Sequence, residues 1–374
     1  MESSSGEQWL KDDTEPQYQL PKPRPTSIFM SNFEFPGTTE TEQTTAPPLV
    51  PRSRVETLYR VGARIWTKQD FHGIEEHVKA LVRNTKEPKV IPFRCIDDSI
   101  VMVQDLNPRF AVGKPIIDFR TYQDLLYSEA EVRDKNSMRG LAICSQGTST
   151  LPTNTLTEFQ LLNLWLKEKA AWDESKACAD LKLLLSTSAL PMNTKRIVCF
   201  GLGNLETQFL FDPKSTHHRS IVQHCAALTI ATAVSKKVHR HIQIYAQDPE
   251  YSIDTKRILA RQEIKVIDCY GAEGFTYVDD DAFVFTVSPN VPVKQVVADL
   301  AKPTAMIWEK VSTPEEEEAK LAQPRSFKGG YLSPWTTDND SPRTQELVKG
   351  YKEAPFPGDK DHFTDSLTVY IRKD

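Results

Sequence analysis

Four residues near the middle of the chain have types and spacing suited to holding a small ligand. Gly201, Gly203 and Asn204 lie in the turn GLGN that follows the apolar run Ile197-Val198-Cys199-Phe200. Asp248 follows a second apolar run, 242–246. Glycines in such a turn adopt positive φ and let the backbone approach a ligand closely. A carboxylate at the end of the next strand can bind ribose hydroxyls. Together these four residues form a candidate cofactor-binding set for S-adenosylmethionine or a nucleotide. The match to a dinucleotide fingerprint is incomplete, because Glu206 stands where G-x-G-x-x-G has its third glycine. A carboxylate there repels pyrophosphate. The stretch 206–218 also separates the glycines from the next helix, whereas a pyrophosphate needs a helix N-terminus directly beneath it. NAD and FAD are therefore disfavoured. S-adenosylmethionine, which carries no phosphate, stays open.

Other reactive types form no recognisable set. His217, His218, His224, His239 and His241 fall in one part of the sequence, but no Cys/His spacing matches a tetrahedral zinc site, so no metal is expected. His224 reads as a packed or capping residue. There is no G-x-S-x-G elbow. Cys225 lies mid-helix beside alanines, an inert setting. Asp279-Asp280-Asp281 reads as a loop. No catalytic residue is assigned, and whether the chain is an enzyme stays open.

The candidate residues need a parallel sheet to position them. Runs 197–200, 242–246, 264–270, 283–287 and 304–311 read as strands, alternating with helices over 219–237, 253–262 and 293–301. Strands without polar alternation, separated by helices, imply a mostly parallel sheet covered on both faces. The expected class is α/β, a Rossmann-like three-layer sandwich in which ligands sit beyond the carboxyl ends of the strands. A helical stretch, broken once, spans 155–186, with Thr155 and Glu158 as a capping box. Trp165 and Trp172, seven apart, lie on its core face. Four regions follow: a disordered arm over 1–53, an accessory mixed region over 54–154, the core over 155–312, and C-terminal helices with an edge strand over 313–374. In the accessory region, 74–83 reads as a helix, 99–106 as a strand, and a helix follows Asp118. Beyond the core, Thr313-Pro314 and the following glutamates start a helix. Residues 342–352 read as another helix and 366–372 as the edge strand.

Composition narrows the classes. Among 374 residues, 39% are hydrophobic and 26% charged, with a formal net charge of -5. That balance gives no general attraction to nucleic acid or anionic membranes. No apolar run approaches the ~18 residues of a membrane span, and the N-terminus has no secretory pattern. Six scattered cysteines without a CxxC pair suit a reducing compartment. The arm, rich in Pro, Thr, Ser and Glu, has too little apolar material to order itself. Thr39, Thr41, Thr44 and Thr45 are phosphorylation candidates within it.

The order KRIVCFGLGNL, RSIVQHCAALTIA, YAQDPEYSIDTKRIL and IKVIDCYGAEGFTYVDDDAFVFTVSPNVPVKQVVADL resembles the SRR1-like family (sensitivity to red light reduced), particularly its fungal members. The resemblance covers roughly 172–311 and extends more weakly to SPRTQELVKGYKEAPFP. It implies a Rossmann-like fold, a location in cytoplasm and nucleus, and a non-catalytic regulatory protein acting through protein partners. It further implies circadian, light, growth or haem-related regulation. Ser288-Pro289-Asn290-Val291 departs from a Pro-His-Cys-like step of many relatives, so thiol or imidazole chemistry is not expected at that corner.

Overall fold

The computed structural model describes residues 53–83, 89–105, 113–127, 138–147, 156–206, 218–267, 269–321, 326–327, 330–331 and 336–373. The expected disordered arm with its threonines lies, up to Arg52, outside them, as do Thr155 and His217.

In chain order the strands are β1 (Lys89–Arg94), β2 (Ile100–Asp105), β3 (Gly113–Phe119), β4 (Leu141–Gly147), β5 (Arg196–Phe200), β6 (Gln243–Gln247), β7 (Ile264–Val266), β8 (Ala282–Thr286), β9 (Ala305–Glu309), β10 (Ser326–Phe327), β11 (Gly330–Tyr331), β12 (Tyr351–Pro355) and β13 (Leu367–Arg372). The helices are α1 (Ser53–Arg60), α2 (Lys68–Arg83), α3 (Tyr122–Tyr127), α4 (Glu158–Glu174), α5 (Lys176–Thr187), α6 (Arg219–Val238), α7 (Ile253–Arg261), α8 (Val293–Leu300), α9 (Pro314–Leu321) and α10 (Pro342–Lys349). A 3-10 turn spans Glu273–Tyr277.

Seven strands form one sheet in the order β12-β13-β9-β8-β5-β6-β7. β5 pairs in parallel with β6 and β8, β6 with β7, and β8 with β9. β13 runs antiparallel to both β9 and β12. This is the expected mostly parallel α/β sheet. The chain starts at β5, moves outward through β6 and β7, then returns to β8 on the other side of β5. The strand order therefore reverses between β5 and β8.

Alternation along each strand divides the core in two. Ile197, Cys199, Ile244, Phe283, Phe285 and Ile307 face one cluster with Trp165, Trp172, Leu181 and Ile230 of α4, α5 and α6. Val198, Phe200, Val284, Met306 and Trp308 face the other, with Val55, Phe71, Leu125 and Val297 of α1, α2, α3 and α8. Fully burying one such side chain stabilises by ~1.5–3 kcal/mol. The expected break in the 155–186 helix falls at Ser175. Its extended backbone (φ -72°, ψ 151°) ends α4, and its hydroxyl accepts from the Cys178 N–H to start α5.

Four local expectations differ from the structure. The capping box of α4 is Thr157 with Gln160; that pair repeats the Thr-x-x-acceptor spacing two residues later. In the 264–270 run the strand ends at Val266; the Ile267 N–H adds one bond to the Ala246 carbonyl at 2.9 Å, and the amides of Tyr270 and Ala272 go to Glu75. The helix expected over 342–352 stops at Lys349, and β12 follows Gly350. β12 takes the sheet edge and β13 lies inside it. Lys352, Glu353 and Pro355 suit an edge strand, where charge and proline are tolerated.

Asp299 on α8 fixes the N-terminal segment on the sheet. Its buried carboxylate accepts the Ile65 N–H at 2.7 Å and the Trp66 N–H at 3.2 Å, and it pairs with the Arg343 guanidinium. Arg343 also donates to the Tyr59 and Ala63 carbonyls at 2.6 Å and lies over the Tyr59 ring. Asp299→Ala leaves two amides and a cation without their acceptor, so a loss of ~3–5 kcal/mol is expected in equilibrium denaturation. A loss below about 1 kcal/mol contradicts this role.

Candidate functional site

β5 and β6 deliver the GLGN turn and Asp248 to the carboxyl edge of the sheet, as their parallel register requires. The Gly201 N–H donates to the Gln247 carbonyl at 3.0 Å, which continues the ladder by one bond. Gly201 has φ +62° and Gly203 φ +81°, so both occupy the left-handed region that favours glycine. A Cβ on Gly201 would lie 3.1 Å from the Cβ of Pro289; one on Gly203 would lie 2.4 Å from the Ser220 Oγ.

The structure brings all four sequence-predicted residues together and shows how the protein itself engages their polar groups. Asp248 Oδ2 accepts the Gly203 N–H at 2.8 Å, and Oδ1 accepts the Glu250 N–H at 2.9 Å. The Asn204 side-chain oxygen accepts the Thr255 hydroxyl at 2.5 Å and the Ser252 N–H at 3.2 Å. Asp248 and Asn204 thus tie the turn after β5 to the turn after β6. Beside them, Thr286 at the end of β8 donates its hydroxyl to the Phe200 carbonyl at 2.8 Å.

Two engaged residues were missed by the sequence reading. Gln247 ends β6; its side-chain oxygen accepts the Gly274 N–H at 2.5 Å and the Cys269 thiol at 3.0 Å, and its amide donates to the Gly271 carbonyl at 2.7 Å. Glu75, wholly buried on α2, accepts the N–H groups of Tyr270, Ala272 and Glu273 at 2.8–3.1 Å. A signal for Glu75 was present in the sequence. It is a charged residue on the same helix stripe as Phe71, Ile74 and Val78. The turn that follows β7 is consequently bound by the chain's own groups.

His224 is packed, as its helix position suggested. With the Ser220 carbonyl 2.6 Å from its Nδ1, that nitrogen donates, and Nε2 accepts the Tyr251 hydroxyl at 2.8 Å. Burial lowers the imidazole from 6.5 to about 4 and raises the Tyr251 phenol well above its usual range. Burial likewise pushes the Cys225 thiol up to about 12, in keeping with an inert core residue. Asp279 pairs with Lys68 and Arg196, and Asp281 with Lys195 and Arg196, at the opposite, amino end of β8. No group of His, Cys, Asp and Glu among the described residues could hold a metal ion.

The sheet and its carboxyl-edge turns define a doubly wound α/β protein whose strand order reverses between β5 and β8. The SRR1 domain model matches residues 180–365, which takes in every strand of that sheet except β13, so the chain carries an SRR1 domain. No curated protein matches it. Among solved structures, a chain from Staphylococcus aureus assigned as a caffeoyl-CoA O-methyltransferase is similar at 11% identity. It covers 57% of this chain and 92% of its own length, with a TM-score of 0.29.

Two outcomes follow from this geometry. Gly201→Val places a β-branched residue at positive φ against Pro289 and should cost at least about 2 kcal/mol in denaturant unfolding, with Gly203→Ala costing ~1–3 kcal/mol. Native-like stability for both would mean that neither turn position requires glycine. The His224 proton linkage has a definite sign. The unfolded chain takes up a proton near pH 6.5 that the fold refuses until about pH 4. Stability contributed by neutral His224 is therefore fully present above pH 6.5 and is lost, by about 3 kcal/mol, as pH falls to about 4. Across that window the native stability curve should fall more steeply than that of His224→Gln. Parallel curves contradict the assignment.

Proposed function

We propose that this protein is a non-catalytic regulatory protein whose α/β domain binds protein partners. SRR1-domain membership supports a regulatory role in general. The observation that carries the non-catalytic reading is the internal bonding of the site. Both Asp248 oxygens, the Asn204 oxygen and the Glu75 carboxylate each accept hydrogen bonds from this chain's own loops. Those bonds hold the carboxyl-edge turns together. The pathway expected from the resemblance is circadian, light, growth or haem-related regulation, in the cytoplasm and nucleus. No helix among the described residues is long and apolar enough to cross a membrane.

A second reading is an enzyme that uses S-adenosylmethionine or a nucleotide. The strand order favours it, because ligands of doubly wound sheets sit where that order reverses, and Gly201 and Gly203 follow β5 at that point. Cofactor-dependent thermal unfolding separates the two. A ligand at 100 times its dissociation constant adds ~2.7 kcal/mol of stability. The regulatory reading expects no shift with S-adenosylmethionine, S-adenosylhomocysteine, ATP or NAD. A shift that disappears in a folded Asp248→Ala variant would replace it with the enzyme reading.

A further inference from the structure

Residues 336–341, Thr-Thr-Asp-Asn-Asp-Ser, run as a polar strap, buried from Asp338 to Ser341, against the elements that follow β8. Thr337 donates its hydroxyl to the Pro289 carbonyl at 2.7 Å, and Pro289 is the residue packed on Gly201. Asp338 Oδ1 accepts the Lys294 N–H at 2.8 Å in the first turn of α8. The Lys294 ammonium pairs with Asp340 Oδ1 at 2.8 Å, while Asp340 Oδ2 accepts the Ser312 N–H at 2.8 Å. Gln295 donates to the Asn339 carbonyl at 3.1 Å, and Gln123 to the Asp340 carbonyl at 2.5 Å. Ser341 shares a 2.8 Å hydrogen bond with the Tyr59 hydroxyl. One short strap thereby joins the sheet edge, α8 and the N-terminal segment.

The charges in this strap do not balance. Asp338 and Asp340 are both buried, and Glu309 at the end of β9 adds a third carboxylate to the field they feel. From α8, Lys294 alone supplies positive charge to them. Asp340 is bonded on both oxygens. Asp338 Oδ2 is buried and has no hydrogen-bond partner among the described residues. A buried carboxyl with a donor on only one oxygen, set beside a second carboxylate and sharing its cation, favours its neutral form. Burial, opposed by Lys294, accordingly pushes the Asp338 carboxyl up to about 7.

Beyond the function proposed above, we propose that Asp338 is a proton-held latch: its carboxylic acid keeps the 336–341 strap closed over the sheet edge beside Gly201, and its ionisation loosens the strap. The linkage sign follows from the direction of the shift. The folded chain holds a proton that the unfolded chain loses near pH 3.8, so the associated stability is present at acid pH. It is lost as pH rises to about 7 and stays lost above that. The device therefore responds within the physiological range.

Hydrogen exchange of the full chain, measured from about pH 5.5 to about pH 8.5 and corrected for intrinsic rates, tests the latch. In the native protein, amides of 336–341, Lys294 and Ser312 should open more often as pH rises, by up to about tenfold per unit below pH 7. Asp338→Asn removes the titrating carboxyl and should make that opening independent of pH. Parallel pH profiles for the native and variant proteins overturn the proposal. Infrared difference spectra of the native protein give a readout that does not depend on the variant folding. A protonated carboxylic acid C=O stretch should vanish near neutral pH, and its absence at acid pH also overturns the latch.

Discussion

A parallel sheet exists in water only if both of its faces are covered, and everything else in this chain answers to that requirement. Ile197 and Cys199 point one way from β5 while Val198 and Phe200 point the other, and all four are buried. α4, α5 and α6 cover the first face. The second is covered largely by residues 53–147, a segment that precedes the sheet in sequence and brings α1, α2, α3 and the separate β1–β2 and β3–β4 pairs. Val55, Trp66, Phe71 and Leu125 from this segment complete the core under Phe200 and Val284. A covering layer drawn from distant sequence must be held in register, because apolar contact alone is non-directional.

Buried polar joints supply that direction. Asp299 takes two amides of residues 65–66, Glu75 takes three amides of the turn after β7, and the 336–341 strap reaches Tyr59 and Gln123. Each joint places a charged or polar group where misalignment would leave it without a partner, at a cost of ~1–3 kcal/mol or more per group. That asymmetry makes the docked arrangement specific even where each bond adds little net stability. It also explains why so many polar side chains in this structure are buried and bonded to backbone. They are the fasteners between the sheet and a cover that the sheet's own crossovers do not provide.

The sequence revealed most about the sheet and least about its cover. Between 196 and 311, apolar runs of strand length alternate with helix-length periodic segments, so the strands, their parallel sense and the turn glycines were legible. Trp165 and Trp172 were read as core residues and His224 as packed or capping, and all three are buried. β1, β3 and β4 escaped notice because their hairpins draw on mixed residues, among them Pro92, Asp118 and Pro115, that break alternation. The grouping of Gly203 with Asp248 was legible because both end adjacent parallel strands. Their direct hydrogen bond was not, since only folded backbone geometry decides whether a carboxylate faces a ligand or the neighbouring turn. Asp338 was hidden for the same reason, and the place of Glu75 on the apolar stripe of α2 marked its burial but not its partners. A buried acid looks like a surface acid until its partners, 195 residues away for Glu75 and Tyr270, are brought to it.

The same fasteners bear on what the carboxyl edge is for. In an open doubly wound sheet that edge is where ligands bind, because backbone amides and strand ends there lack partners. Here the turn after β5 is clasped by Asp248, the turn after β6 by Asn204, the turn after β7 by Glu75 and Gln247, and the turn after β8 by Thr337. The groups expected to recognise a cofactor also hold the edge together. Among the clasping side chains Asp338 differs, because one of its oxygens is buried with no hydrogen-bond partner among the described residues. In the latch proposed for Asp338, protonation and ionisation act on the strap beside Gly201 without any change in the apolar core that holds the sheet.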